Sequence, residues 1–378
     1  MDFSFGPEAE TFRAEARTWL AAHPAGDGGR EWERTLGADG WIGLAWQGDY
    51  GNRHADLAQQ VAWGEEYARA GAPGRAGHIG ENLLAPTLEA HGSQEQRSRF
   101  LPAIARGEEL WCQGYSEPGA GSDLAGIRTS AAHDGHGTYR VTGQKIWTSL
   151  AHEADWCFVL ARTEPDSRRH YGLSLLLVPM RQPGRIEVRP IRQLTGSAEF
   201  NEVWFDGAQA SADHIVGGPG NGWRVAMALL GYERGVSTLV QQIGFGLELH
   251  EVIAQAITSG AADDPVIRDR IVRQWAELKT MRWNALRTLG TADQAAPSVA
   301  KLLWGGWHQR LGELAVAVRG AAATAGPTAW SPEAPYELDR TQRLLLFSRA
   351  DTIYGGSDEI QRTIIAERVL GLPKEPRG

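Results

Sequence analysis

The sequence predicts an α+β fold, mostly α. An N-terminal helical domain is expected over residues 1–110, a central antiparallel β domain over 111–216 and a C-terminal four-helix bundle over 217–378. Three observations carry this. The first third has helical periodicity. The middle holds short runs rich in Val, Ile, Leu and aromatic residues, separated by Gly, Pro and Asp clusters. The last part returns to long amphipathic stretches, the first of them, Trp223 to Ser259, free of proline. A chain of 378 residues, 42% of them hydrophobic, is long enough to bury more than one core.

In the first part, Glu8 to His23 places Phe12, Ala16, Trp19 and Leu20 at helical spacing and stops at His23-Pro24-Ala25-Gly26. Gln59 to Ala70 and Ile79 to His91 read as helices, the second closed by Gly92, and Ser93 reads as the cap of another. In the middle, Tyr139 to Thr148, Trp156 to Ala161, Leu173 to Val178, Ile186 to Pro190 and Val203 to Asp206 read as strands of a sandwich or barrel. In the last part, Trp223 to Ser259 contains no proline and sets Ala226, Leu230, Val240 and Leu247 on one stripe. Pro265 to Leu289, Ser298 to Val318 and Leu338 to Leu370 follow as further long helices, which suggests a bundle.

A net charge of -8 argues against a general nucleic-acid binder. Two cysteines, Cys112 and Cys157, show no zinc spacing, so no metal site is expected, and they fit a reducing cytoplasm. No run of the length a membrane span needs is present, and the first residues do not read as a signal peptide.

Four strings carry candidate chemistry. Tyr115-Ser116-Glu117-Pro118-Gly119-Ala120-Gly121-Ser122-Asp123 is a glycine-rich turn whose N–H groups and serine hydroxyls could meet an anion or a ring edge, though taken alone it fits a surface loop equally well. Gly143-Gln144-Lys145-Ile146-Trp147-Thr148-Ser149 sets a tryptophan beside two hydroxyls, suited to a flat ring, yet it also reads as an ordinary strand. Glu233-Arg234 puts one carboxylate into the stripe Ala226, Leu230, Glu233, Ser237, Val240, Gly244, Leu247, where desolvation would raise its pKa and suit it to general-base work; an ion pair at a bundle edge is the plainer reading. Tyr354-Gly355-Gly356-Ser357-Asp358-Glu359 breaks a helical pattern with two glycines. Ser357 is an N-cap and Glu359 lies in the first turn, so the N–H groups could hold a phosphate or a ring carbonyl; a plain interhelical turn fits as well.

In order and spacing, these strings resemble the acyl-CoA dehydrogenase family across nearly the whole chain. The resemblance implies FAD between the β domain and the bundle. It assigns cofactor contacts to Tyr115, Ser116, Gly121, Ser122, Trp147, Ser149, Gly356, Ser357 and Glu359, with Trp147 beside the isoalloxazine and Ser149 near its N5. Substrate contacts fall to Ser122, Arg234, Tyr354 and Gly355. Many members carry their catalytic glutamate directly after the tyrosine of the C-terminal signature; here that place is Gly355. A smaller group carries it before an arginine on the first long bundle helix, and Glu233-Arg234 matches that pattern. Glu233 is therefore expected to take the α proton of an acyl-CoA while the β hydrogen leaves as hydride to flavin N5, and an electron-transfer flavoprotein is the expected acceptor.

The chain departs from the family where members reach across a subunit interface to the partner's FAD. Thr258 to Asp264 and Val318 to Ala323 keep neither the Arg-x-x-Phe-Gly segment nor the glycine turn. Heteromeric bacterial members, some acting on bulky steroid-like side chains, share such losses and the ending Ile364 to Pro373. A homodimer, a homotetramer or a heteromer with a second chain of this kind is therefore expected. A flavin oxidase or monooxygenase, a non-catalytic subunit, and an enzyme for carrier-protein thioesters remain as alternatives.

Overall fold

The computed structural model describes residues 6–232, 236–288, 296–325 and 338–374. They fall into two compact units, one from residues within 5–192 and 198–234, the other from residues within 193–197 and 235–378.

The first unit opens with α1 (Pro7–Ala22), α2 (Gly29–Ala38), α3 (Leu57–Arg69), α4 (Ala85–His91) and α5 (Gln94–Ala105). Pro7 needs no donor at a helix start, and Glu8 and Glu10 in the first turn complement the helix dipole. Asp56 and Ser93 each open a capping box with the glutamine three residues on, so α3 and α5 begin where their orphan N–H groups are satisfied. The expected Ile79–His91 helix is a π-helical turn, Gly80–Leu84, running into α4. Tryptophans fill the space between these helices; Trp41 and Trp63 stack with centroids 4.2 Å apart.

Eight strands follow: β1 (Trp111–Gly114), β2 (Ser130–His133), β3 (Thr138–Ser149), β4 (Trp156–Arg162), β5 (Leu173–Pro179), β6 (Ile186–Pro190), β7 (Phe200–Ser211) and β8 (Ile215–Val216). They form one sheet in the order β6-β7-β3-β2-β4-β5-β8, with β1 paired to β4. The pairing is antiparallel except where β1 and β2 meet β4. β5 packs on β7 without pairing to it, so the sheet folds over a core of its own around Val141, Val159, Leu176 and Val203. The opposite faces of β4 and β5, with Phe158, Leu160, Leu175 and Leu177, join the helical core. Burial on both faces explains why these two strands read as nearly continuous apolar runs, broken in β5 only by Ser174. Helix α6 (Gly222–Tyr232) closes this unit, with Val225, Ala226 and Leu229 buried in the same core.

The second unit is helical: α7 (Val236–Ser259), α8 (Pro265–Thr288), α9 (Ala296–Arg319), α10 (Arg340–Ser348) and the short α11 (Asp358–Ile364), which runs into a π-helical turn, Ile365–Val369. Its core gathers Phe245, Leu249, Val252, Leu278, Met281, Trp304, Trp307, Leu311 and Leu314. The face of α7 that packs is thus Phe245, Leu249, Val252 and Ala256. Leu247, placed on the apolar stripe from sequence, is 41% exposed, because α8 and α9 take the neighbouring face. Among the described residues, no helix is long and apolar enough to cross a membrane.

Candidate functional site

Candidate residues lie in both units, and each group is built differently. In the first unit, β1 runs into the glycine-rich loop. Pro118 and Gly119 turn the chain so that Glu117 and Ala120 exchange backbone hydrogen bonds, both 3.0 Å. The Glu117 carboxylate accepts from the N–H of Arg128 at 2.7 Å, from that of Thr129 at 2.9 Å and from Nζ of Lys145 at 2.9 Å. Lys145 also donates to the carbonyl of Tyr115, and the N–H of Ile146 donates to that of Ser116, each at 3.0 Å. The two strings are thereby stitched together. Burial acts to raise the Glu117 pKa, but Lys145 and the N–H donors hold it below the usual range. Burial pushes the Lys145 ammonium down to about 8, against the pull of Glu117.

Beyond Lys145, β3 and β7 lose register. Lys145 faces Val203 and Thr148 faces Asn201, so three steps on β3 match two on β7. The extra residue is a bulge, a device that re-aims a side chain. Trp147 takes it up with a φ of 60° and leaves its indole 57% exposed, edge-on to Phe200 at 6.2 Å. A bulky residue in the left-handed region is strained, and such strain concentrates at functional sites. The next residue, Thr148, is buried, and its Oγ1 finds no hydrogen-bond partner among the described residues. Ser149 is half-buried, Tyr115 is buried against Phe158 and Ser116 is half-buried, whereas Gly121 and Ser122 lie on the exposed part of the loop.

In the second unit, Tyr354 to Ser357 form a tight turn between α10 and α11. Gly355 and Gly356 have φ values of 64° and 85°, a region glycine enters without penalty. The Gln361 carboxamide donates to both glycine carbonyls, at 3.3 and 3.1 Å, and a Cβ on Gly356 would stand 2.5 Å from its Nε2. Ser357 caps α11 as expected, accepting from the N–H of Ile360. Glu359 lies in the first turn, its carboxyl held below the usual range by its own N–H and by Ser357. Tyr354 is 37% exposed. Glu233 and Arg234 lie outside the described residues.

Sequence reasoning missed three features. The Lys145–Glu117 pair was inside the quoted strings, but burial is not visible in a string. The free Thr148 hydroxyl is likewise a property of packing. The third is a buried charge group around His308 and Asp351 in the bundle.

Three domain descriptions tile the chain: the N-terminal domain of acyl-CoA dehydrogenases matches residues 7–108, the middle domain 112–208 and the C-terminal domain 220–370. The acyl-CoA dehydrogenase IpdE1 of Mycobacterium tuberculosis is 53% identical over 98% of this chain and 100% of its own length. The chain belongs to the acyl-CoA dehydrogenase family. It is an oxidoreductase acting on CH–CH bonds, and the family is FAD-dependent. The IpdE1 of Mycolicibacterium smegmatis is 51% identical over the same shares. Among solved structures, the Tcur3481-Tcur3483 steroid ACAD superposes with a TM-score of 0.86 at 28% identity over 99% of this chain and 100% of that one. The ChsE4-ChsE5 complex of Mycobacterium tuberculosis has a TM-score of 0.84 at 31% identity, with full coverage of both chains.

The residues present fit a flavin. An exposed indole held in a strained bulge offers a face to a flat ring, and a buried hydroxyl beside it lacks a partner that a ring edge would supply.

Proposed function

We propose that this acyl-CoA dehydrogenase forms the double bond between the α and β carbons of an acyl-CoA thioester, with Glu233 as the α-proton base. The observation that carries the reading is the β3 bulge, which presents Trp147 and the buried Thr148 hydroxyl together.

FAD, when bound, accepts the β hydrogen as hydride. Trp147 would flank its ring system, and Thr148 and Ser149 would bond its edge. Tyr115, Ser116, Gly121, Ser122 and the Gly356-Ser357-Glu359 segment complete the contacts expected with cofactor and substrate. Glu233 takes the α proton onto a carboxylate oxygen, and Arg234, Tyr354 and Gly355 orient the thioester. Gly355 stands where many members have their base, so without Glu233 the α proton would have no acceptor in this scheme. An electron-transfer flavoprotein would be the electron acceptor. The test is the visible spectrum of the purified chain before and after anaerobic addition of acyl-CoAs. Bleaching by one of them supports the reading, and a flavin that no acyl-CoA bleaches overturns it.

A second reading concerns assembly and substrate. The two solved structures with the TM-scores above are named as two-protein assemblies, and one of these is called a steroid ACAD. Together with the altered segments Thr258 to Asp264 and Val318 to Ala323, this supports a heteromer with a second chain of the family and a bulky steroid-derived acyl group. Co-expression with candidate partner chains, followed by mass measurement and flavin content, tests it. A homomeric chain carrying a full complement of FAD would overturn it.

A further inference from the structure

His308 lies in the middle of α9 and is 6% exposed. Its two ring nitrogens face two carboxylates: Nδ1 is 2.5 Å from Oδ2 of Asp351, and Nε2 is 2.8 Å from Oε2 of Glu248 on α7. A neutral imidazole has one N–H and can donate to one of them; the imidazolium donates to both. Burial alone would lower the histidine's pKa, but the hydrogen bonds and charges of Asp351 and Glu248 outweigh it and hold it up at about 9.

Asp351 is 1% exposed. Its second oxygen, Oδ1, accepts from the Tyr354 hydroxyl at 2.7 Å, and its carbonyl accepts from Nζ of Lys301. The Lys301 ammonium stands 3.9 Å from the ring centroid of Trp304 and 4.8 Å from that of Tyr354. Lys301, Gly305 and His308 share one face of α9 by helical spacing. Gly305 permits the approach, since a Cβ there would lie 3.1 Å from the Asp351 carbonyl oxygen. Of the other charges around the cavity that His308 lines, Glu251 pairs with Arg340 and Arg319 with Asp339, and Arg343 reaches it from α10. The turn at Gly355 and Gly356 has no side chains with which to pack, so its place must be set by its neighbours.

We propose that His308, as the imidazolium, is a positioning residue that acts through Asp351 to hold Tyr354 and the Gly355-Gly356-Ser357 turn in the geometry that flavin and thioester require. This rests on the reading above that the turn meets cofactor or substrate.

The test uses the full chain with FAD, in complex with its partner chain if it requires one, and compares wild type with H308Q, D351N and E248Q. D351N keeps an acceptor for Tyr354 and loses the charge that faces His308. FAD affinity, measured by fluorescence, is expected to fall about 10-fold in H308Q and D351N, the lower end of what losing an outer partner costs at metal sites. The absorption band of the bound flavin should shift with it. In wild type the affinity should decline as pH rises through about 9, and in H308Q that decline should shrink to what the titration of Lys145 leaves, a change a purely structural role would not produce. A folded H308Q with wild-type affinity, spectrum and pH profile overturns the proposal. If H308Q does not fold, E248Q decides: removing one anion must move the alkaline decline to lower pH, and an unmoved midpoint overturns it. If these arms behave as expected while no acyl-CoA bleaches the flavin, the dehydrogenase reading alone fails. If bleaching occurs and the arms are flat, the positioning role alone fails. If wild type binds no FAD with or without a partner, both fall.

Discussion

Nζ of Lys145 stands 2.9 Å from Oε1 of Glu117, in a buried ion pair that locks strand β3 to the loop after β1. Lys145 is fully buried and Glu117 is 9% exposed, and two backbone N–H groups complete the carboxylate's bonding. The pair lies two residues before the Trp147 bulge, so the position of the indole depends on it.

The first prediction follows from the desolvation of that pair. K145M leaves a buried carboxylate without its cation and should destabilise the chain by about 3–5 kcal/mol. E117Q should cost less, because the Lys145 ammonium, already pushed down to about 8, can release its proton. The neutral double variant K145M/E117Q should recover part of the K145M loss, since it removes the unpaired charge and keeps an oxygen for the N–H groups of Arg128 and Thr129. Chemical denaturation checks the order, and a K145M protein as stable as wild type would refute it.

Thr148 gives a prediction of opposite signs in the two forms. Without FAD, T148V removes a buried hydroxyl that has no partner among the described residues, so stability should hold or rise. With FAD it removes a hydrogen bond worth about 1 kcal/mol, so the dissociation constant should rise roughly fivefold. Melting of the apoprotein and an FAD titration check the two signs separately.

Much of the architecture was legible in the sequence because each visible signal had a local cause. Ser93 and Gln96 are a capping box within four residues, and Leu173 to Val178 is apolar but for Ser174 because both its faces are buried. What was missed had no local cause. β2 has only one buried position, Ala131, and β8 is two residues long, so neither shows a period. α2 begins between glycines and carries the buried Glu33, whose partner Arg75 is far along the chain. The site divided in the same way. Ser357 and the glycines before it were readable as a cap and a turn, whereas the bulge at Trp147 depends on register with β7, and the His308 group joins residues 43 and 60 positions apart.

The His308 group also makes stability depend on pH. Its folded pKa, about 9, exceeds the ordinary value of 6.5, so its contribution is full below pH 6.5 and is lost as pH rises through 9. The groups that set this are Glu248 from α7 and Asp351 from the segment after α10. The contribution is on the order of 3 kcal/mol at most. Lys145 acts in the other direction: its pKa is depressed from 10.5 to about 8, so its burial costs stability at low pH, and that cost is relieved as pH rises from 8 towards 10.5. The difference between wild type and H308Q isolates the histidine. Denaturation from pH 6 to 10 should show that difference shrinking towards the alkaline end, and a constant difference would count against an imidazolium in the fold.

The proposed base can be tested by moving it. E233Q should leave the fold intact and slow flavin reduction by acyl-CoA roughly 100- to 10,000-fold, the range that general-base catalysis supplies. The resemblance places the alternative base of the family at Gly355. A glutamate there has to accept a φ of 64°, at a cost of about 1–2 kcal/mol for a residue with a Cβ. The turn lies between two helices and is exposed, so it can bear that strain. The double variant E233Q/G355E should therefore fold with slightly reduced stability and recover a measurable part of the rate lost in E233Q, well short of wild type. Anaerobic stopped-flow reduction with one acyl-CoA that bleaches wild type reads this directly. Recovery would show that the loss in E233Q was the loss of a proton acceptor. An E233Q protein that reduces its flavin at the wild-type rate would remove Glu233 from the mechanism.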